Sequence, residues 1–162
     1  MSTLNFEDFD APLVFRSRPE SIPGDLRPVW RICVILLILE LASRGKKSSI
    51  SKLHVLNWAI RSKENQKVLR QIINGEMSPD SISVRVEPSL DRAVSLAHGE
   101  ELVEFVGGKN IRLTWQGESA VKKIIGLEDV FLEEKSFLLE IGKSKLTETV
   151  VTEFFTEGQK NK

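Results

Sequence analysis

One cysteine, two histidines and no apolar run long enough to span a bilayer set the first limits on this chain of 162 residues. The lone Cys33 cannot form an internal disulfide. It falls in an apolar stretch, where a free thiol acts as a small hydrophobe, and this predicts a reducing, cytoplasmic setting. His54 and His98 lie far apart, without a clustered carboxylate or cysteine beside either. Metal sites need three or four ligands, often in local pairs, so neither a metal nor another cofactor is predicted. No Ser/His/Asp or Cys/His set is visible, and Cys33 is predicted to be buried, so no catalytic residue is assigned. The N-terminus lacks a basic stretch followed by an apolar one, which predicts no secretory signal. Internal repeats, low-complexity tracts and long heptad runs are missing too.

Two fragments imitate a phosphate-binding loop. Gly45-Lys46-Lys47-Ser48 and Gly142-Lys143-Ser144 each carry part of the ending of that motif. The motif needs a further glycine five positions before the last one. Those positions hold Glu40 and Phe137, so neither fragment qualifies.

What the chain does have begins at residues 29–43, VWRICVILLILELAS. Only Arg31 and Glu40 are polar between Val29 and Ala42. A helix this apolar has no solvent face and must be surrounded by protein. It is shorter than the ~20 apolar residues a bilayer requires. The reading is a central core helix, or a helix half-covered by a partner.

The net charge of zero hides an asymmetry. Residues 29–75 hold nine basic and two acidic residues, or +7, whereas residues 76–162 hold eleven basic and sixteen acidic, or −5. Such separation can steer a polyanion or an acidic partner to one region. Equally, the two blocks can neutralise each other in the fold. Lys46, Lys47, Lys52, Arg61, Lys63, Lys67 and Arg70 are the candidates for contact with nucleic acid or an acidic partner. Four phosphate contacts would give a salt slope of about −3.6 in log K. A solvated helix face is the plainer alternative.

The order of elements follows from periodicity and punctuation. Pro12, Pro19, Pro23 and Pro28 make residues 1–28 an arm, whose Phe6, Phe9 and Phe15 suggest docking rather than free movement. Pro28 opens the first helix, and Gly45 is placed to cap it in the left-handed conformation. A short strand is predicted at 47–50, then helices at 51–61 and 63–74. Ile82, Val84 and Val86 alternate with polar residues and predict a half-buried strand. A helix at 89–98 buries Leu90, Ala93, Val94 and Ala97. A hairpin is predicted at 102–106 and 110–115, with Ile111, Leu113 and Trp115 inward. Helices follow at 118–125 and 130–141, and another is capped by Ser144. The tail from Thr156 is predicted to fray.

This order is α+β, mostly α. It matches a winged helix-turn-helix-like domain over residues 29–126, with an inserted helix. The arm (1–28) precedes it and a C-terminal helical extension (127–157) follows. The helix at 89–98 takes the recognition position, yet it offers only Arg92 and His98 against Asp91. Glu87, Glu100, Glu101 and Glu104 flank it. Base reading needs Arg, Lys, Asn or Gln, and this field repels phosphate. The apolar inventory points to partners instead. Phe6, Phe9, Phe15, Trp30, Phe154 and Phe155 are the candidate interface residues, unless the arm and C-terminal helices simply cover the core.

Four strings occur in order: RPVWRICVILLILELASRGKKSSISKLHVLNWAIRS, VEPSLDRAVSLAHGEELVEF, IRLTWQGESAVKKI and LEEKSFLLEIGKSKLTETVV. Together they resemble the small middle component of bacterial ABC-type three-component systems, the group that includes the Lamassu anti-phage defence systems. The resemblance covers about residues 27–155 and rests on the series, since no single motif is diagnostic. It implies a winged-helix-like, non-catalytic adaptor. Such a subunit links an SMC/Rad50-like ATPase to an effector, often a nuclease, in a hetero-oligomer without membrane contact. Nucleic acid would be met through the complex, with at most weak direct contact. The competing expectations are a stand-alone winged-helix transcription regulator and an enzyme built around His54 or His98.

Overall fold

The computed structural model describes residues 28–155. The arm with Phe6, Phe9 and Phe15, and the tail from Thr156, lie outside the described residues. Seven helices and three short strands make up the described residues. They are α1 (Pro28–Leu41), β1 (Lys47–Ser49), α2 (Ile50–Ile60), α3 (Lys63–Ile73), α4 (Pro88–Gly99), β2 (Val103–Val106), β3 (Asn110–Leu113), α5 (Trp115–Gly126), α6 (Leu132–Ile141) and α7 (Glu148–Glu153).

The α1 helix is the axis of the core. Val34 through Leu39 are all buried, on every side of the helix. α4, α5 and α6 pack against it, and α2 and β3 touch it as well. Each fully buried Val, Leu or Ile contributes about 1.5–3 kcal/mol relative to exposure, so this helix is held by its surroundings rather than by its ends. Its C-terminus is closed by Ser43, whose hydroxyl donates to the Ile38 carbonyl at 2.9 Å. Gly45 takes the left-handed conformation predicted for it, at φ 65°.

The sheet is antiparallel, in the order β1–β3–β2. Ser48 faces Ile111 across one ladder, and Phe105 faces Ile111 across the other. Gly107 and Gly108 both have positive φ (64° and 79°) in the turn between β2 and β3. A Cβ at either position would strain the turn. The C-terminal helices share the same core. Phe137, Leu138, Ile141, Leu146, Val151 and Phe154 are buried in the cluster that contains α1.

Three local expectations are corrected. The predicted strand at 82–86 is extended chain outside the sheet, with Val84 buried but Val86 exposed. It pairs with neither of the sheet's outer strands, β1 and β2. Pro88 has no N–H to donate, and the Glu87 N–H is used by the His54 ring at 3.3 Å. Trp115 does not continue β3 inward. Thr114 N-caps α5 by accepting from the Gly117 N–H at 3.1 Å, which ends the strand and turns Trp115 out to 77% exposure. The last helix is capped not by Ser144 but by Thr147, which accepts from the Val150 N–H. Leu146 is buried just before it, so the chain must finish crossing the core before the helix can begin.

Candidate functional site

The basic residues of α1–α3 do not form one face. Lys46 lies 3.2 Å from Glu118 and 3.6 Å from Glu40, and the Glu118 carboxylate pushes its ammonium above the usual range. Arg70 grips Glu140 through two nitrogens, at 2.7–3.0 Å. That contact holds the Glu140 carboxyl below the ordinary carboxylate range. Arg70 also lies 5.4 Å from the Phe137 ring centroid, a cation–π distance. Lys63 reaches Glu133 at 3.8 Å. Arg61 binds Glu87 at 2.5 Å, and Lys67 is exposed. The acidic C-terminal block therefore supplies Glu118, Glu133 and Glu140 to the basic middle block, and part of the asymmetry is cancelled inside the fold.

A second polar cluster lies under α4. Arg31 is 3% exposed and donates to Glu87 at 3.2 Å. Glu87 also accepts from Arg61 at 3.0 Å and from Asn57 at 3.4 Å. Beside it, His54 Nδ1 accepts the Glu87 backbone N–H, so the ring proton resides on Nε2 and is donated to Asp91 at 3.1 Å. His54 is buried with both nitrogens engaged. Its arrangement suits tying α2 to the start of α4. His98 is exposed; its Nδ1 lies 3.3 Å from the Val103 carbonyl, and its ring meets Phe105 edge-on at 4.9 Å. Cys33, predicted to be buried, is half-buried, and desolvation pushes its thiol up to about 11. Among the described residues, no group of three His, Cys, Asp or Glu side chains is placed to hold a metal ion, and no helix is long and apolar enough to cross a membrane.

The candidate interface aromatics divide. Trp30 is half-buried against Phe131, with ring centroids 6.2 Å apart. Phe154 is buried against Trp58 at 6.5 Å, and Phe155 is half-buried in the same core. Among the described residues, the most exposed aromatic is one the periodicity had turned inward, Trp115. It borders a shallow depression with His98, Glu101 and Gln116, beside the exposed Phe105 of β2. The Thr114-x-x-Gly117 spacing, a helix cap, was the signal that could have placed it outside.

The third feature is a cleft of about 650 Å³ at the β1–α2 junction. Arg44, Lys47 and Lys52 line it from one side, Arg112 from β3, and Lys143 from the α6–α7 connection. The two broken phosphate-loop fragments meet here, since Gly45, Lys47 and Ser48 face Lys143 and Ser144 across it. Lys47 and Lys52 were candidates from sequence; Arg44, Arg112 and Lys143 were not. Their convergence depends on α7 docking against α2, which no local pattern reveals.

Comparison of the chain with protein-family models, with curated proteins and with solved structures gives no match.

Proposed function

We propose that this chain is a non-catalytic, cytoplasmic adaptor subunit. It would link an SMC-like ATPase to an effector, often a nuclease, in a bacterial anti-phage or anti-plasmid defence complex. The resemblance of the four strings supplies the family. The observation that carries the reading is Trp115, exposed at the start of α5 beside a depression that His98 of α4 also lines, with Phe105 of β2 exposed on the other side of that histidine. Isolated exposed apolar residues are ordinary, but rigid aromatics held on secondary structure are the usual anchors of protein interfaces.

The order of helices and the strand order β1–β3–β2 support a winged-helix reading, in which α4 is the recognition helix and β2–β3 the wing. The exposed residues of α4 include Arg92 and Leu96 beside Asp91, and Glu100 and Glu101 follow it. That surface suits a protein partner better than phosphate. Of the wing cations Lys109 and Arg112, Arg112 is already bound by Glu104.

The strand order also suits a stand-alone winged-helix regulator, and experiment separates the two. Co-expression with the products of neighbouring genes is expected to yield a stable complex containing an SMC-like ATPase. Trp115→Ser is expected to weaken that complex by about thirtyfold, the loss typical of an interface anchor. A monodisperse monomer that ignores an adjacent ATPase and effector overturns the proposal. Selection of one duplex motif from random DNA, lost on Arg92→Ala, would establish the regulator instead.

A further inference from the structure

We propose that the cleft at the β1–α2 junction binds the phosphates of a polyanionic ligand, and that Glu148 is the internal group such a ligand displaces. This is independent of the adaptor reading.

Five cations line the cleft and one carboxylate, Glu148, faces them. Arg112 is held by Glu104. Arg44, Lys47, Lys52 and Lys143 enter no ion pair among the described residues, unlike Lys46, Arg61, Lys63 and Arg70 outside the cleft. Lys52 is the decisive one. It is 5% exposed, in the first turn of α2. The only enclosed side-chain polar atoms without a hydrogen-bond partner among the described residues are Glu40 Oε2 and Asn57 Oδ1. The Lys52 ammonium therefore keeps an opening, and the space beside it is the cleft. Burying an ammonium without a partner is costly. Here burial lowers its proton affinity and Glu148 only partly offsets this. The site has been built with too little negative charge.

The backbone adds to the deficit. α2 has eleven residues, and its N-terminus opens on the same cleft. The helix dipole attracts anions to that end, while the N–H groups of Ile50 and Lys52 are already given to the Lys109 carbonyl and the Ser49 hydroxyl. At present a carboxylate occupies that position. Glu148 Oε2 accepts from the Ser49 hydroxyl at 2.6 Å, and Oε1 lies 3.4 Å from the Ser49 nitrogen. Glu148 is exposed, in the first turn of α7, so it can swing into solvent and leave those donors to a phosphate. Ser48, Ser144 and Thr147 add hydroxyls to the wall.

The lining contains no aromatic side chain on which a base could stack, and Leu146 is its one large apolar residue. Recognition is therefore of phosphate. A nucleic-acid backbone fits best, because the cations spread along a cleft larger than a single phosphate needs. A free polyphosphate shares the chemistry.

The test uses the purified full-length chain, fluorescence anisotropy of a labelled 20-base-pair duplex and a labelled 20-nucleotide single strand, and isothermal titration calorimetry of sodium triphosphate. Binding at low salt is expected to weaken with a log–log salt slope of about −3.6 if four cations release counterions. Lys52→Met, which keeps the apolar stem, and the exposed pair Lys47→Glu/Lys143→Glu are each expected to reduce affinity on the order of tenfold or more. Glu148→Gln is expected to increase it. Triphosphate binding without DNA binding, sensitive to the same substitutions, would support the site and identify a free polyphosphate as its ligand. Absence of binding to all three probes at low salt overturns the proposal. So does binding that is unchanged in both Lys52→Met and the exposed charge-reversal pair, with circular dichroism showing each variant folded.

Discussion

Removing the Glu87 carboxylate should be among the most damaging single changes to this fold that deletes no core hydrocarbon. Arg31 is nearly inaccessible, and Glu87 is its only ion-pair partner among the described residues. Arg61 and Asn57 converge on the same carboxylate. Breaking a buried pair by deleting one member costs ~3–5 kcal/mol, because the other charge is left without compensation. Glu87 retains some solvent contact, which places Glu87→Ala near the lower end, about 3 kcal/mol. With a urea m-value of about 2 kcal/mol/M, the unfolding midpoint should fall by roughly 1.5 M. Arg31→Met should cost less, about 1 kcal/mol, because Glu87 keeps Arg61 and the methionine refills part of the space. The double variant Arg31→Met/Glu87→Ala removes both charges together. It should therefore be less damaged than the sum of the two single changes, with a coupling of about 2 kcal/mol. Urea titration followed by far-ultraviolet circular dichroism measures all three. A midpoint shift below about 0.3 M for Glu87→Ala, or strict additivity in the double variant, would refute the reasoning.

Two further outcomes are expected. At Gly117 an added Cβ would sit 2.0 Å from the Leu102 carbonyl oxygen, whereas nothing lies within 4 Å of one at Gly126. Gly117→Ala should lower the melting temperature by several degrees, about 2 kcal/mol or more, and Gly126→Ala should leave it unchanged or slightly raised. With its pKa raised to about 11 from 9.0, the Cys33 thiol should alkylate about a hundredfold more slowly at neutral pH in the folded chain than in urea. Because the folded thiol holds its proton where the unfolded one has lost it, Cys33 favours unfolding as pH rises from 9 towards 11. Cys33→Ala should flatten that part of the pH–stability profile, and equal alkylation rates with and without urea would contradict the burial argument.

Much of the helical frame was legible in the sequence because it is written in local periodicity. The apolar run of α1 demanded cover on all sides, and α4, α5 and α6 provide it. Leu90, Ala93, Val94 and Ala97 marked the inner face of α4, and Gly107-Gly108 marked the hairpin turn. The errors arose where a cap or a distant partner overrides the period. Thr114 stops β3 two residues before the alternation would, and Trp115 changes from core to surface. Ile82, Val84 and Val86 alternate as a strand would, but pairing depends on where packing places the segment against the sheet, which alternation does not record. The polar pairings were hidden for a different reason. Arg31 and Glu87, or Ser49 and Glu148, are joined only by the packing of whole helices, and nothing near either residue in sequence records its partner. The basic block showed this most clearly. Lys63, Lys67 and Arg70 share a helix side by spacing, yet Glu133 and Glu140 from α6 claim two of them.

The all-round burial of α1 also has a consequence for biosynthesis. It precedes the other described helices, yet one of the walls around it, α6, is completed about a hundred residues later. At a translation rate of 5–20 residues per second, its Val34–Leu39 surface lacks its complete native shelter for roughly 5–20 s after it is made. During that interval the ribosome carries a short greasy segment that the emerging chain covers only in part. Demand for chaperone protection should therefore be concentrated on the first third of the polypeptide and end as α6 emerges.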